Sequence, residues 1–218
     1  MLNKHFLVTA GPTYEKIDPV RFVGNYSSGK MGFAIAGELA GRGARVTLVC
    51  GPVSLKIFHP GIERMDVESA SHMRDACLQV FPETDGAVMC AAVADYRPKS
   101  YAAGKIKRSR KHMLLELVPN DDIAALLGSR KSEKQILVGF ALETGDELTH
   151  AAGKMEKKNL DFIVLNSLRD PGAGFGVDTN KISILTKEKQ ILSYPLKTKA
   201  DVARDIVEEI VRRMETLI

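Results

Sequence analysis

Four stretches of this 218-residue chain carry residue types that could act together on a charged ligand. The first is GNYSSGK at 24–30, which satisfies G-x-x-x-x-G-K. Met31 follows it where a P-loop needs a hydroxyl for magnesium, so a P-loop NTPase fits poorly. The physical content survives that rejection. Ser27, Ser28, Gly29 and Lys30 precede a helical pattern, and exposed N–H groups, two hydroxyls and a positive dipole end suit a phosphate. A plain serine-capped helix start would use the same residues with no ligand. The second stretch is AAVADYRP at 91–98. Ala91, Ala92 and Ala94 would let a ligand approach the backbone, and Asp95 adds an acid that elsewhere often serves only as a turn residue or cap. The third, KSYAAGKIKRSRKH at 99–112, is basic without a single acid and reads as a mobile loop. Lys105, Lys107 and Arg108 would be ordinary solvated charges there, or a lid over a triphosphate if a phosphate cradle lies nearby. The fourth places Lys154, Lys157 and Lys158 on one helix face, with no acid four residues before Lys154 or Lys157.

Such groups need a frame that gathers them. His5–Thr9 reads as a strand, followed by a long loop to Ser28 and a helix over 30–41 with Met31, Ala34, Ile35 and Leu39 on one face. Arg45–Cys50 and Ile62–Val67 read as strands, and Ser69 as the N-cap of a helix through Val80. Gly86–Ala92, Ile136–Ala141 and Phe162–Leu165 are continuously apolar, as expected of strands buried on both faces of a parallel sheet. A lysine-rich helix spans Glu147–Asn159. Lys181–Thr186 and Gln190–Tyr194 flank a polar turn and predict a β-hairpin, and Asp201–Met214 predicts a closing amphipathic helix. The fold class that follows is α/β: a Rossmann-like, doubly wound, mostly parallel sheet with helices on both faces and a C-terminal hairpin plus helix. Residues 1–218 are expected to form a single domain. In such a sheet ligands bind beyond the carboxyl ends of the strands. Segments 10–30, 91–98, 140–146 and 166–176 all fall there and are rich in polar residues or glycine.

Composition removes several classes of function. Apolar residues make up 44% of the chain and charged residues 27%, which excludes a disordered tail or a low-complexity rod. No apolar run approaches the roughly 18–20 residues of a membrane span, and MLNKHFLVTAG resembles no secretory leader, so a cytoplasmic protein away from membranes is expected. Cys50, Cys77 and Cys90 are odd in number and lie in apolar surroundings, predicting reduced core thiols. The net charge of +4 suits an anionic small molecule and is weak for nucleic acid. There is no C-x-x-C, H-E-x-x-H or G-x-S-x-G, and the five histidines are scattered, so neither a protein-held metal nor a serine hydrolase is expected.

Over TAGPTYEKIDPVRFVGNYSSGKMGFAIA (9–36) the chain closely resembles phosphopantothenoylcysteine synthetase, the ligase half of a bifunctional bacterial enzyme of coenzyme A synthesis. The resemblance continues through VTLVCGP (46–52), AAVADYRP, KIK (105–107), VGFALET (138–144), KKNLDFIVLN (157–166) and the final helix. It implies a ligation in two steps. The carboxylate of 4′-phosphopantothenate attacks the α-phosphate of CTP to give an acyl-cytidylate and pyrophosphate, and the amine of L-cysteine then displaces CMP. The flavin-binding decarboxylase half lies outside these residues, so no FMN is expected on this chain, and magnesium would arrive with CTP. By the same resemblance Asn25 matches a residue acting on the acyl-cytidylate, Arg21 one suited to the substrate phosphate or carboxylate, and Lys105 the loop lysine of the first step. Ala91 and Asp95 match the nucleotide and acyl-cytidylate pocket, while Phe140, Lys154 and Lys158 match nucleotide contacts. Asn120-Asp121-Asp122-Ile123 stands where the family commonly reads Asn-Pro-Asp-Ile. Asp121 therefore replaces a proline, which bears on the choice of CTP over ATP. A homodimer with its site at the interface is the expected assembly.

Two other readings compete. A nicotinamide-dependent reductase would use the same sheet but lacks the glycine fingerprint after its first strand. A non-enzymatic nucleotide- or nucleic-acid-binding module could use the basic loop, but Tyr101 is its only stacking residue.

Overall fold

The alternation seen in the sequence becomes, in a computed structural model, a sheet flanked by helices. Residues 1–108, 112–143, 147–167, 172, 174 and 176–216 are described, with the backbone alone at 142, 143, 147–150 and 167. In chain order the elements are β1 (His5–Ala10), β2 (Tyr14–Lys16), β3 (Phe22–Gly24), α1 (Lys30–Gly41), β4 (Arg45–Cys50), β5 (Ile62–Asp66), α2 (Ala70–Val80) and β6 (Gly86–Met89). They continue with β7 (Tyr96–Pro98), β8 (Leu117–Pro119), α3 (Ile123–Arg130), β9 (Ile136–Glu143), α4 (Glu147–Lys157) and β10 (Phe162–Ser167). The last are β11 (Thr179–Asn180), β12 (Ile182–Thr186), β13 (Ile191–Ser193), β14 (Lys197–Thr198) and α5 (Lys199–Thr216).

Eight strands form the main sheet in the order β13-β12-β10-β9-β6-β1-β4-β5. The six from β10 to β5 are parallel, and the β12–β13 hairpin adds antiparallel to β10. Counted along the chain, the parallel strands lie 3-2-1-4-5-6, the doubly wound order of dinucleotide-binding folds. Each strand sends alternate side chains to opposite faces. Phe6 and Val8 join α1 and α5 in one buried core, while Leu7 joins residues of α2, α3 and α4 in the other. Met31, Ile35 and Leu39 of α1 are buried as the helical spacing predicts, each contributing roughly 1.5–3 kcal/mol. The Ser69 hydroxyl accepts from His72 N at 3.3 Å and caps α2. Among the described residues no helix is long and apolar enough to cross a membrane.

Several boundaries differ from the sequence reading. The run predicted over Gly86–Ala92 leaves the sheet after Met89, because Cys90 N turns back to Val88 O at 3.1 Å. The expected loop before Ser28 contains the β2–β3 hairpin, whose Tyr14 and Phe22 rings stack 3.8 Å apart. A second ribbon, β7–β8, brackets the basic segment, and Lys199 begins the closing helix expected at Asp201. Residues 109–111 of the basic segment, 144–146, and most of 168–175 lie outside the described residues.

Candidate functional site

The order of the parallel strands reverses between β1 and β6, and a crevice opens there beyond their carboxyl ends. Its volume is about 530 Å³. After β1 the chain makes the β2–β3 hairpin and returns as the 24–30 loop, which leads into α1. Gly29 is the N-cap residue, in left-handed backbone at φ 77°, and no side chain caps the helix. The cap is therefore glycine, not serine. Ser27 Oγ instead accepts from Gly29 N at 3.3 Å, and Ser27, Ser28, Gly29 and Lys30 all line the crevice. Gly32 lets this helix end lie tightly on β1, since a Cβ there would sit 2.6 Å from the Ala10 Cβ.

The second wall is the segment after β6. Ala91 N donates to Thr9 Oγ1 at 3.1 Å, Ala92 N to Gly11 O at 2.9 Å and Ala94 N to Thr13 Oγ1 at 3.0 Å. These bonds drape the alanines over the end of β1, where Ala91 and Asp95 line the crevice. Asn25 fastens the two walls together: its Nδ2 donates to Ala92 O at 3.0 Å and Val93 O at 3.1 Å.

Asp121, Asp122 and Ile123 form the third wall at the start of α3, with Phe140 on β9, Lys154 on α4 and Lys158 just after it. Asp122 caps α3 by accepting from Ala125 N at 3.1 Å, and its other oxygen pairs with Lys158 Nζ at 3.1 Å. The departure at Asp121 has a local partner, because its carboxylate pairs with Arg74 of α2. That pairing draws the Asp121 carboxylate toward α2.

Arg21 and Lys105 do not line the crevice. Asp18, in the β2–β3 turn, accepts from Val20 N, Arg21 N and Ile106 N and pairs with Arg21 at 2.9 Å. Arg21 in turn donates to Ile106 O at 2.6 Å. Both backbone polar groups of Ile106 are thus clamped, and Lys105, its neighbour, is held exposed on the outside.

A fourth wall comes from Asn166, which opens the 166–176 segment singled out in the sequence, and from Asn180 and Lys199, which sequence reasoning missed. Lys199 begins α5, where a cation opposes the helix dipole. That mismatch was the available signal. Its ammonium is buried and donates to the carbonyls of Gly174 at 3.1 Å, Thr179 at 3.2 Å and Val177. Burial, and then nearby Lys30, lower its pKa. Lys30 Nζ donates to Asp178 Oδ1 at 2.6 Å and Gly176 O at 3.1 Å. Lys30 in turn holds the Asp178 carboxyl below its ordinary range. Cys90 also lines the crevice, but burial raises its thiol pKa to about 12, so it stays protonated at neutral pH. Among the described residues no three acids, histidines or cysteines cluster as a metal site.

Fold and crevice together define an α/β protein of the doubly wound class with a crevice at its switch point. The chain belongs to the family of DNA/pantothenate metabolism flavoprotein C-terminal domains, matched over residues 1–214. It is 52% identical over 208 residues to a cysteine/cysteine sulfinic acid decarboxylase from an unknown prokaryotic organism, covering 95% of this chain and 58% of that protein. The coenzyme A biosynthesis bifunctional protein CoaBC of Bacillus subtilis (strain 168) is 47% identical over 208 residues, covering 95% of this chain and 51% of the relative. This chain therefore spans little more than half the length of these relatives. A crystal structure of the C-terminal domain of a CoaBC protein superposes with a TM-score of 0.84 at 39% identity, covering 99% of this chain and 98% of that one.

Proposed function

We propose that this chain is a phosphopantothenate–cysteine ligase using CTP. The observation that carries the reading is the crevice itself, a glycine-capped helix start and alanine-lined wall brought together at the switch point of a CoaBC-like fold. In the first step a carboxylate oxygen of 4′-phosphopantothenate attacks the α-phosphorus of CTP as the bond to pyrophosphate breaks. In the second, the free amine of L-cysteine attacks the acyl carbon, CMP leaves, and the nitrogen gives up a proton. Both steps depend on positioning and charge neutralisation more than on acid–base groups.

The backbone N–H groups of Ser28 and Lys30 with the Ser27 and Ser28 hydroxyls would hold phosphate oxygens. Phe140 would pack on the nucleotide, with Asp122, Ile123, Lys154 and Lys158 around it, and Asp95 and Ala91 would border the acyl-cytidylate. Magnesium enters as part of the nucleotide substrate. Asn25 would orient the acyl carbonyl while fastening the walls, and Lys105 would neutralise charge at the α-phosphate.

Lys105 and Arg21 sit outside their own crevice, on a face that also exposes Val20, Phe22, Tyr96 and Leu117, with Tyr26 95% exposed beside it. An apolar patch of this kind marks an association surface. A homodimer formed there, with each copy's cations completing the site, accounts for both observations. Incubation with phosphopantothenate, cysteine and each nucleoside triphosphate tests the reaction: pyrophosphate and amide product should appear best with CTP. Absence of amide with every nucleotide overturns the ligase reading. Mixing Asn25→Asp with Lys105→Gln tests the assembly, since activity should return only if the two residues serve one site from different copies.

A further inference from the structure

At the back of the crevice Asn180 is 2% exposed, and its Oδ1 accepts no hydrogen bond. Among the described residues it is the only buried side-chain nitrogen or oxygen left without a partner. Leaving a buried acceptor unpaired costs about 1–3 kcal/mol, so an occupant of the crevice that brings an N–H or O–H recovers that loss.

The surroundings narrow the donor. Lys30 and Lys199 line the same crevice, and Lys199 is buried with its ammonium committed to carbonyls. Asp178 pairs with Lys30 and leaves Lys199 as the uncompensated charge, so an incoming ammonium would add to a corner that is already net positive and a neutral donor is favoured. Phe140 and Cys90 face the same side of the sheet, both packed on the α1/α5 core. An aromatic ring and a neutral acceptor lining one crevice suit a flat heteroaromatic ring with an amino group on its edge. Cytosine and adenine carry such a group, whereas uracil and guanine present a carbonyl oxygen at the corresponding position.

We infer that Asn180 Oδ1 accepts a hydrogen bond from the exocyclic amino group of the nucleobase, and so selects amino-bearing against oxo-bearing nucleoside triphosphates. The inference rests on the nucleotide-dependent ligase reading and deepens it. It leaves the choice between cytosine and adenine to other walls of the crevice.

Titration calorimetry with CTP and with UTP, in the absence of phosphopantothenate and cysteine, tests it directly. The parent chain should bind CTP at least tenfold more tightly than UTP. Asn180→Ala should weaken CTP binding roughly ten- to hundredfold and leave UTP almost unchanged, so the preference collapses. Asn180→Asp keeps an acceptor oxygen at the position and should retain the preference. Circular dichroism melts check that each variant is folded, and Asn180→Ser substitutes for the alanine variant if that one does not fold. An Asn180→Ala or Asn180→Ser chain that keeps the parent ratio, or a parent with no preference, overturns the inference. Binding preference and amide formation are separate readings. A preference lost on mutation without amide product sinks only the ligase assignment, whereas amide product with an unaltered ratio sinks only the role of Asn180.

Discussion

The two ends of the parallel sheet treat their buried polar groups in opposite ways. At the amino ends the buried and half-buried polar groups among the described residues have partners. Asp85 accepts from Lys4 Nζ at 2.9 Å and His5 N at 2.8 Å, while Asp161 accepts from Lys131 Nζ and from Leu137 N at 2.6 Å. Gln135 donates to the carbonyls of Phe81 at 2.8 Å and Thr84 at 2.9 Å and accepts from Ser132 N at 2.9 Å. At the carboxyl ends capacity is held back: Gly29 leaves α1 without a side-chain cap, and Asn180 Oδ1 has no donor. Fully partnered polar groups rigidify a fold, whereas a buried group left unpaired is costly. One end fixes where the strands start; the other keeps polar groups without side-chain partners.

If that division holds, substitutions at the two ends should separate activity from stability. The largest effect is expected for Lys105→Gln, which should slow pyrophosphate release roughly 10³-fold without shifting the melting temperature, because the side chain is exposed. Quenched-flow measurement of pyrophosphate checks it. Asn25→Asp should still consume CTP and accumulate acyl-cytidylate, while amide formation falls by ~10²–10³. Separation of the intermediate, CMP and product at short times reads this out. Equal slowing of both steps would mean that its bonds to Ala92 and Val93 carry the role. At the opposite end, Asp161→Ala strands Lys131, whose side chain is 7% exposed, and should cost about 3 kcal/mol of stability in urea titration. The affinity of the folded fraction for CTP should not change.

The smallest effect concerns His5, buried at the start of β1, with Nε2 2.9 Å from Thr47 Oγ1 and Nδ1 2.9 Å from Arg45. Burial lowers its pKa from 6.5, so the unfolded chain takes up a proton first as pH falls. The stability it contributes is present above about pH 6.5 and is lost as pH drops toward the depressed value, by at most ~1.4 kcal/mol per pH unit. Melting temperatures from pH 7.5 to 5 should show this loss, and His5→Gln should flatten it.

Periodicity and caps made much of this architecture legible. The Arg45–Cys50 strand, the Lys30–Gly41 helix and the Ser69-capped helix all follow from local pattern. The β2–β3 and β7–β8 ribbons do not, because distant bonds hold them: Asp18 to Ile106, and Arg97 to Pro119 O at 2.7 Å. The α3 helix escaped because Asp122 reads equally as a nucleotide contact and as a cap, and it is positioned for both. Most proposed contacts gather in one crevice because they follow strand ends, whose position topology dictates. Asn180 and Lys199 gave weaker signals, since an asparagine before a hairpin and a lysine at a helix start are common surface residues. Only the fold shows them turned inward.

The packing of α1 against α5 also sets a timetable. Val202, Ile206, Val207 and Ile210 complete the core on which Ile35 and Leu39 rest. During synthesis at ~5–20 residues per second, the ~160 residues between these helices take on the order of ten to thirty seconds to appear. Through that interval the side of α1 that meets α5 stays uncovered, exposed to chaperones and to premature self-association. The crevice therefore acquires its final shape late in the life of the nascent chain, although its first wall is among the earliest parts made.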